Sequence, residues 1–318
     1  MTLITVAANP DFIVQLSDRR LSTFYRGAMG VYSEDATKVT YIQTPTFQAL
    51  MGYTGLAIIG KKSQPTIQVL MDLMYEALEE AELDFGVAVE RFRLLLTAAW
   101  NEPRIRHLGP ATARLSIVLT GFQLFGEGKY KGPYQWLITN YQELGGKKDH
   151  ELAWPEFQSY VRAPQDDWPM WIYRIGEHRA LPTSEAETIR ERLAEGIPPQ
   201  AVKDSMLNLL PRQSATHPII GTRANAVTLR PYGEPEGSYH SYDGGVHDIG
   251  SFDRVVVEAP GEMFMVSSLT VKRASPGAKF VTEVPMRQPC PCGSGLEYRR
   301  CHGKTPFKAP EITFRAAK

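Results

Sequence analysis

Apolar residues dominate positions 2–8 and 12–18, and Asn9-Pro10-Asp11 separates the two runs. Two such runs joined by a tight turn read as a β-hairpin. Residues 38–43 and 46–52 form a second pair around Thr44-Pro45. The period then changes. Ile67, Leu70, Met71, Met74, Leu78 and Ala81 recur at spacings of three and four, which predicts an amphipathic helix over 65–82. Ala88, Phe92, Leu95 and Ala99 mark another, ending before Pro103. Strand-like runs follow at 113–121, 134–141 and 169–175. Helix returns at 184–195, where Ser184 can cap and Glu187 stands three residues on. A further helix over about 199–210 starts beside Pro198-Pro199. Strands resume at 218–230, 254–258 and 262–269.

Strand pairs, two helices, a strand block, two helices and more strands predict an α+β protein. Two sheets packed face to face, each covered by a helix pair, satisfy that order as a four-layer αββα sandwich. Residues 271–285 carry Pro276 and Pro285 without a regular apolar pattern and read as a linker. The chain therefore divides into a main domain at 1–270, the linker at 271–285, a small module at 286–306 and a basic tail at 307–318.

With 318 residues and 43% hydrophobic content the chain can bury a full-sized core. Its formal net charge is zero, so no global field favours nucleic acid or a membrane surface. The start, "MTLITVAANPDF", has no basic segment ahead of its apolar run and does not read as a signal peptide. No apolar run approaches the ~18–20 residues that span a bilayer. A soluble, cytoplasmic protein without a membrane partner is expected.

All three cysteines stand in "QPCPCGSGLEYRRCHGK" at 288–304. Cys290 and Cys292 are separated by one residue, and Cys301 is followed directly by His302. Four soft or borderline donors in two close pairs fit a tetrahedral Zn²⁺ site. Gly293-Ser294-Gly295 supplies a tight turn after the first pair, and "LEYRR" is a helix-forming run that brings the second pair back. An unstructured tail and a redox pair are the competing readings, but Cys-x-Cys with a later Cys-His fits metal better. From Met286 onward seven basic residues stand against two acidic ones. That balance suits an acidic protein surface or RNA phosphates, and equally a solvated tail. The stretch resembles the SEC-C motif, a small zinc module found on the preprotein translocase motor ATPase and on many unrelated proteins. The matching residues are Cys290-Pro291-Cys292-Gly293-Ser294-Gly295, Tyr298, Arg299 and Cys301-His302-Gly303. The resemblance implies a protein-contact appendage that is not catalytic.

The other end carries a second pattern. Thr2 opens the first strand, Asp18-Arg19-Arg20 stands sixteen positions on, Lys38 opens the next strand pair and "GYTG" at 52–55 ends it. This resembles the N-terminal-nucleophile (Ntn) hydrolase superfamily, and proteasome β-subunits in particular, over roughly residues 2–232. Counted from Thr2, Asp18 and Arg20 fall in register without a gap. Lys38 needs a few inserted residues in the loop 22–34, and Gly55 is the best match for the turn glycine. "HPIIGTRANAVTL" at 217–229 resembles the strand after the second helix pair. Asn-Pro-Asp-Phe replaces the family's common Asp-Gly turn, and its downstream Ser and Asp partners have no match at recognisable spacing.

The resemblance implies an Ntn-type sandwich that hydrolyses amide bonds. Thr2 would be nucleophile and, through its free amine, base; Lys38 the activator; Asp18 its partner; and Gly55 an oxyanion donor. Arg20 belongs to the same motif. The alternative is a non-enzymatic scaffold acting through the SEC-C tail on a protein or RNA. Superfamily members assemble into rings or stacked dimers, so a homo-oligomer is open.

Two other stretches are weaker. In "YHSYDGGVHD" at 239–248, His240, Asp243, His247 and Asp248 could ligate a metal, but Asp243-Gly244-Gly245 reads better as a hairpin turn. Trp168, Trp171 and Tyr173 read as core.

Overall fold

The computed structural model of the chain describes residues 3–25, 28–33, 36–59, 64–126, 128–143, 149–164, 170–177, 181–240, 246–248, 253–259, 262–266, 271–274, 287 and 297–300. The first predicted hairpin is β1 (Leu3–Asn9) and β2 (Phe12–Asp18). An unpredicted hairpin follows, β3 (Leu21–Tyr25) and β4 (Ala28–Ser33). The second predicted pair is β5 (Val39–Thr44) and β6 (Phe47–Gly55). Short strands β7 (Ile58–Ile59) and β8 (Gln64–Pro65) precede α1 (Thr66–Glu80), α2 (Phe85–Trp100) and the single turn α3 (Pro103–Arg106). Then come β9 (Leu115–Leu124), β10 (Tyr130–Thr139), β11 (Gln158–Arg162) and β12 (Trp171–Gly176). The second helix pair is α4 (Thr183–Ala194) and α5 (Pro199–Thr216). The last strands are β13 (Ala224–Leu229), β14 (Glu236–His240), β15 (Val246–Asp248), β16 (Asp253–Ala259), β17 (Glu262–Val266) and β18 (Val271–Ala274).

Two large sheets result. The six-stranded sheet has the order β12-β1-β2-β13-β14-β15, and the eight-stranded sheet β11-β10-β9-β6-β5-β16-β17-β18. Strand alternation explains why β1 and β2 are buried along their whole length. Leu3 and Ala7 face the helices α4 and α5, which contribute Ile189, Leu193, Val202, Met206 and Leu210. Ile4, Val6 and Ala8 face the other sheet, against Tyr41, Leu50, Val118 and Leu137. The far side of the eight-stranded sheet buries Met51 and Ile117 under Ile67, Leu70, Met74 and Phe92 of α1 and α2. Three apolar layers between four layers of secondary structure make an αββα sandwich, the architecture expected from the element order. A strand covered on both faces needs apolar residues at odd and even positions alike.

Several boundaries differ from expectation. The helix α4 starts at Thr183, one residue ahead of Ser184, and has no side-chain cap. The cap that does form is Asp84 on α2, whose carboxylate accepts the Val87 N–H at 2.9 Å. β13 begins only at Ala224, so 218–223 is loop where strand was expected. β18 pairs with β17 along Val271↔Val266, so the sheet runs into the segment read as a linker from 271. β14 and β15 pair antiparallel through Tyr239↔His247 and His240↔Val246, while Asp243-Gly244-Gly245, expected to turn, lies outside the described residues. Trp171 is buried in the inter-sheet layer, as expected, with Tyr173 packed against it; Trp168 lies outside the described residues.

The inter-sheet layer makes a direct prediction. Leu50→Ala at its centre, where Leu50 is 0% exposed, should cost about 2–5 kcal/mol in urea unfolding. Leu94→Ala, on an exposed face of α2, should stay within about 0.5 kcal/mol. Equal costs at both sites would contradict the layer assignment.

Candidate active site

Four separate chain segments converge on one carboxylate. Asp18 ends β2 and is fully buried. Its Oδ1 accepts the backbone N–H of Leu3 at 2.9 Å and faces Lys38 Nζ at 3.4 Å. Its Oδ2 accepts the N–H of Gly221 at 3.0 Å and of Arg20 at 3.2 Å. A buried carboxylate is costly unless its lone pairs are met by donors and a counter-charge. Here three peptide N–H groups and an ammonium meet them. The loop 218–223 is therefore not a failed strand: its backbone supplies the Gly221 donor.

Lys38 is 2% exposed and stands just before β5. Its Nζ donates to the carbonyl of Arg20 at 2.6 Å, and its own carbonyl accepts the Tyr53 N–H at 3.3 Å. The lysine is thus fixed at both ends, by the sheet at its backbone and by the Asp18 corner at its tip. Arg20 ties the corner to the loop, donating from Nη1 to the Pro218 carbonyl at 2.5 Å. Arg19 performs the same service for β13, with Nη1 on Asn225 Oδ1 at 2.7 Å and its N–H on the Arg223 carbonyl at 2.9 Å. Neither arginine is a free surface charge.

Gly55 closes β6 opposite Leu115. Its φ is +114°, and a Cβ there would lie 2.1 Å from the Arg114 carbonyl oxygen. Glycine is therefore required by both backbone conformation and close approach. The Leu56 N–H donates to Arg114 O at 2.8 Å and the Tyr53 N–H to Lys38 O. Alternation along an antiparallel ladder then turns the Gly55 N–H to the Lys38 side, beyond the start of β5. A small pocket opens there, lined by Arg20, Ser22, Lys38, Tyr53, Thr54 and Gly55. Burial, aided by Asp253, holds the Tyr53 phenol well above its ordinary range, so it keeps its proton and is no base.

Asp18, Arg20, Lys38 and Gly55 are thus brought together. Thr2 lies outside the described residues, as do Cys290, Cys292, Cys301 and His302. Of the tail, Tyr298–Arg300 forms a single 3₁₀ turn, in the run expected to be helical, and Arg299 pairs with Glu297 at 2.6 Å. The Leu3 N–H, Gly221 N–H and Asn225 contacts had no signal in the sequence. Backbone donors leave no residue-type signature, and Asn225 lies 206 positions from its partner Arg19.

The fold and this corner define an αββα sandwich protein with a SEC-C motif toward the other end of its sequence. Residues 286–304 match the SEC-C family profile. Over 64 residues the chain is 36% identical to protein translocase subunit SecA of Brachyspira hyodysenteriae, covering 20% of this chain and 6% of that protein. Over 29 residues it is 55% identical to SecA of Campylobacter lari, covering 9% and 3%. The chain thus spans only a small part of the curated relatives it matches. Among solved structures, Anbu, an ancestral beta-subunit from Yersinia bercovieri, aligns at 13% identity over 78% of this chain and 86% of that one, with a TM-score of 0.45. Eukaryotic HslV from Trypanosoma brucei aligns at 14% identity over 72% and 99%, with a TM-score of 0.37. These overlaps are partial, and the four-layer architecture rests on the chain's own strands and helices.

The Asp18–Lys38 pair predicts strong coupling. Asp18→Asn and Lys38→Met should each destabilise markedly, because each leaves a buried charge facing a neutral partner. The double variant should recover part of that loss, with an interaction energy of about 1–3 kcal/mol in a double-mutant cycle. Additive losses would show that the two groups do not act as a pair.

Proposed function

We propose that this chain is an N-terminal-threonine amidohydrolase with a zinc-binding SEC-C tail. The observation that carries the reading is the bond from the Leu3 N–H to Asp18, at the carboxylate that faces buried Lys38. The Leu3 nitrogen is covalently joined to the carbonyl of Thr2, so the peptide following the candidate nucleophile is anchored at the charge pair. A threonine hydroxyl is a weak nucleophile and needs a base. A free α-amine titrates near ~7.7–8.0 and can serve the residue that carries it. A neighbouring ammonium favours the neutral form of that amine.

In this reading Thr2 Oγ1 attacks the amide carbon while the Thr2 amine takes the hydroxyl proton. The Gly55 N–H, turned toward Lys38, supports the oxyanion. The C–N bond breaks as the amine returns the proton to the leaving nitrogen. Water then hydrolyses the threonyl ester by the same proton path. Asp18 and Arg20 hold Lys38 and the strand start in place. A second reading, a scaffold acting through its tail, is favoured by one observation: the SEC-C match at residues 286–304.

An electrophile that closes on both hydroxyl and amine, such as an epoxyketone, separates the two. A chain starting at Thr2 should gain one adduct, and Thr2→Ala should gain none. Lys38→Ala should slow labelling about a hundredfold or more, if circular dichroism shows it folded. An unlabelled chain with a free Thr2 would leave the scaffold reading.

The donor set Cys290, Cys292, Cys301 and His302 suits Zn²⁺, and the metal would act there as a structural crosslink in a segment too short for a core. Elemental analysis should find about one zinc per chain, and Cys290→Ser should release it. Stoichiometric zinc in that variant would contradict the ligand set.

A further inference from the structure

The sandwich is open along one side, where β11 ends one sheet and β12 ends the other. Between these two edge strands lies a cavity of about 420 Å³, away from the Asp18 corner and within the usual size of a small-molecule site. Its lining comes from three strands. Gln135 and Leu137 of β10 stand opposite Arg162 and Tyr160 of β11, and Tyr173 comes from β12 across the gap.

The polar groups here share one character. Gln135 is 4% exposed, lines the cavity, and its Nε2 has no acceptor among the described residues. Arg162 lies over the Trp171 ring, 5.7 Å from its centroid, and among the described residues no carboxylate pairs with it. Trp171, on the same face of β12 as Tyr173, is 3% exposed, and its indole Nε1 has no partner among the described residues. Burial, with a smaller push from Asp149, raises the Tyr173 phenol to about 12 against the opposing pull of Arg162, so it retains a proton to donate. A buried amide donor left unpaired costs free energy in the empty protein. One such donor in the lining, beside a guanidinium that no described carboxylate pairs with, calls for an acceptor-rich, negatively charged ligand. Leu137 and the tyrosine rings call for an apolar body behind the charge.

We propose that this inter-sheet cavity binds a carboxylate with an apolar or aromatic body, held by Arg162 and Gln135. The carboxylate oxygens accept from the guanidinium and the carboxamide, and the apolar part packs on Leu137, Tyr160 and Tyr173. Such a ligand is either a free organic acid or the C-terminal carboxylate of a peptide. The site is independent of the proposed hydrolase chemistry.

Titration calorimetry on the full chain tests this with 3-phenylpropionate, its neutral counterpart 3-phenylpropan-1-ol, and the dipeptide acid N-acetyl-Ala-Phe. Both acids should bind saturably, and the alcohol about tenfold or more weakly. The tighter of the two acids identifies the source of the carboxylate. Arg162→Gln, at an exposed position, should weaken acid binding about tenfold without moving the melting temperature. Gln135→Leu should weaken it similarly while the ligand-free protein melts at the same or a higher temperature, because an unpaired buried donor is removed. Alcohol binding as tight as acid binding would overturn the proposal. So would undiminished binding by Arg162→Gln, or no saturable binding of either acid up to about 10 mM.

Discussion

The end of this sandwich where Asp18 lies depends on keeping one buried carboxylate satisfied inside the protein. Asp18 has no exposed surface, and its two oxygens are met by the N–H groups of Leu3, Arg20 and Gly221 and by the Lys38 ammonium. Those donors come from the start of β1, the chain after β2, the loop before β13 and the start of β5. A single side chain therefore fixes how both sheets meet at this end. Arg19 and Arg20 extend the same knot to Asn225 and Pro218. The cost of burying the pair is offset only while all four donors stay in place, which makes the corner rigid rather than adaptable.

That rigidity suits a site at a strand start. The first residues of a chain are ordinarily poorly ordered unless something ties them down. Here β1 lies in the interior of its sheet, between β12 and β2, with both faces covered. Its first described N–H is taken by Asp18. A nucleophile attached to such a strand is held by packing and hydrogen bonds together, which is the preorganisation that acyl transfer needs.

The elements most legible in the sequence are those with the clearest period. The helix α1 shows its buried face as Ile67, Leu70, Met71, Met74 and Leu78, and the hairpins β1–β2 and β5–β6 show theirs as dense apolar runs. β11 was invisible because Gln158, Ser159, Val161 and Arg162 are exposed and no apolar alternation marks an edge strand of five residues. The stretch 218–223 looked like strand because Ile219 and Ile220 are apolar, yet its backbone is committed to Asp18 and Arg20. Of the site, Asp18 and Arg20 were readable through the resemblance in register with Thr2, Lys38 only with residues inserted in the loop 22–34, and Gly55 as the best match for the turn glycine. Gly221, Asn225 and the Leu3 amide were not, since long-range partners and backbone donors carry no local signature. The cavity beside Gln135 was equally hidden: it exists only because two edge strands from different sheets face each other.

The central claim is that the Asp18–Lys38 corner serves the free amine and hydroxyl of Thr2. A peptide bond on that amine would remove the base and leave the corner with nothing to activate. The intact mass of the chain purified from its native host decides this directly. The account predicts a chain lighter by Met1, beginning at Thr2. A mass that retains Met1, or any residue ahead of Thr2, would contradict it.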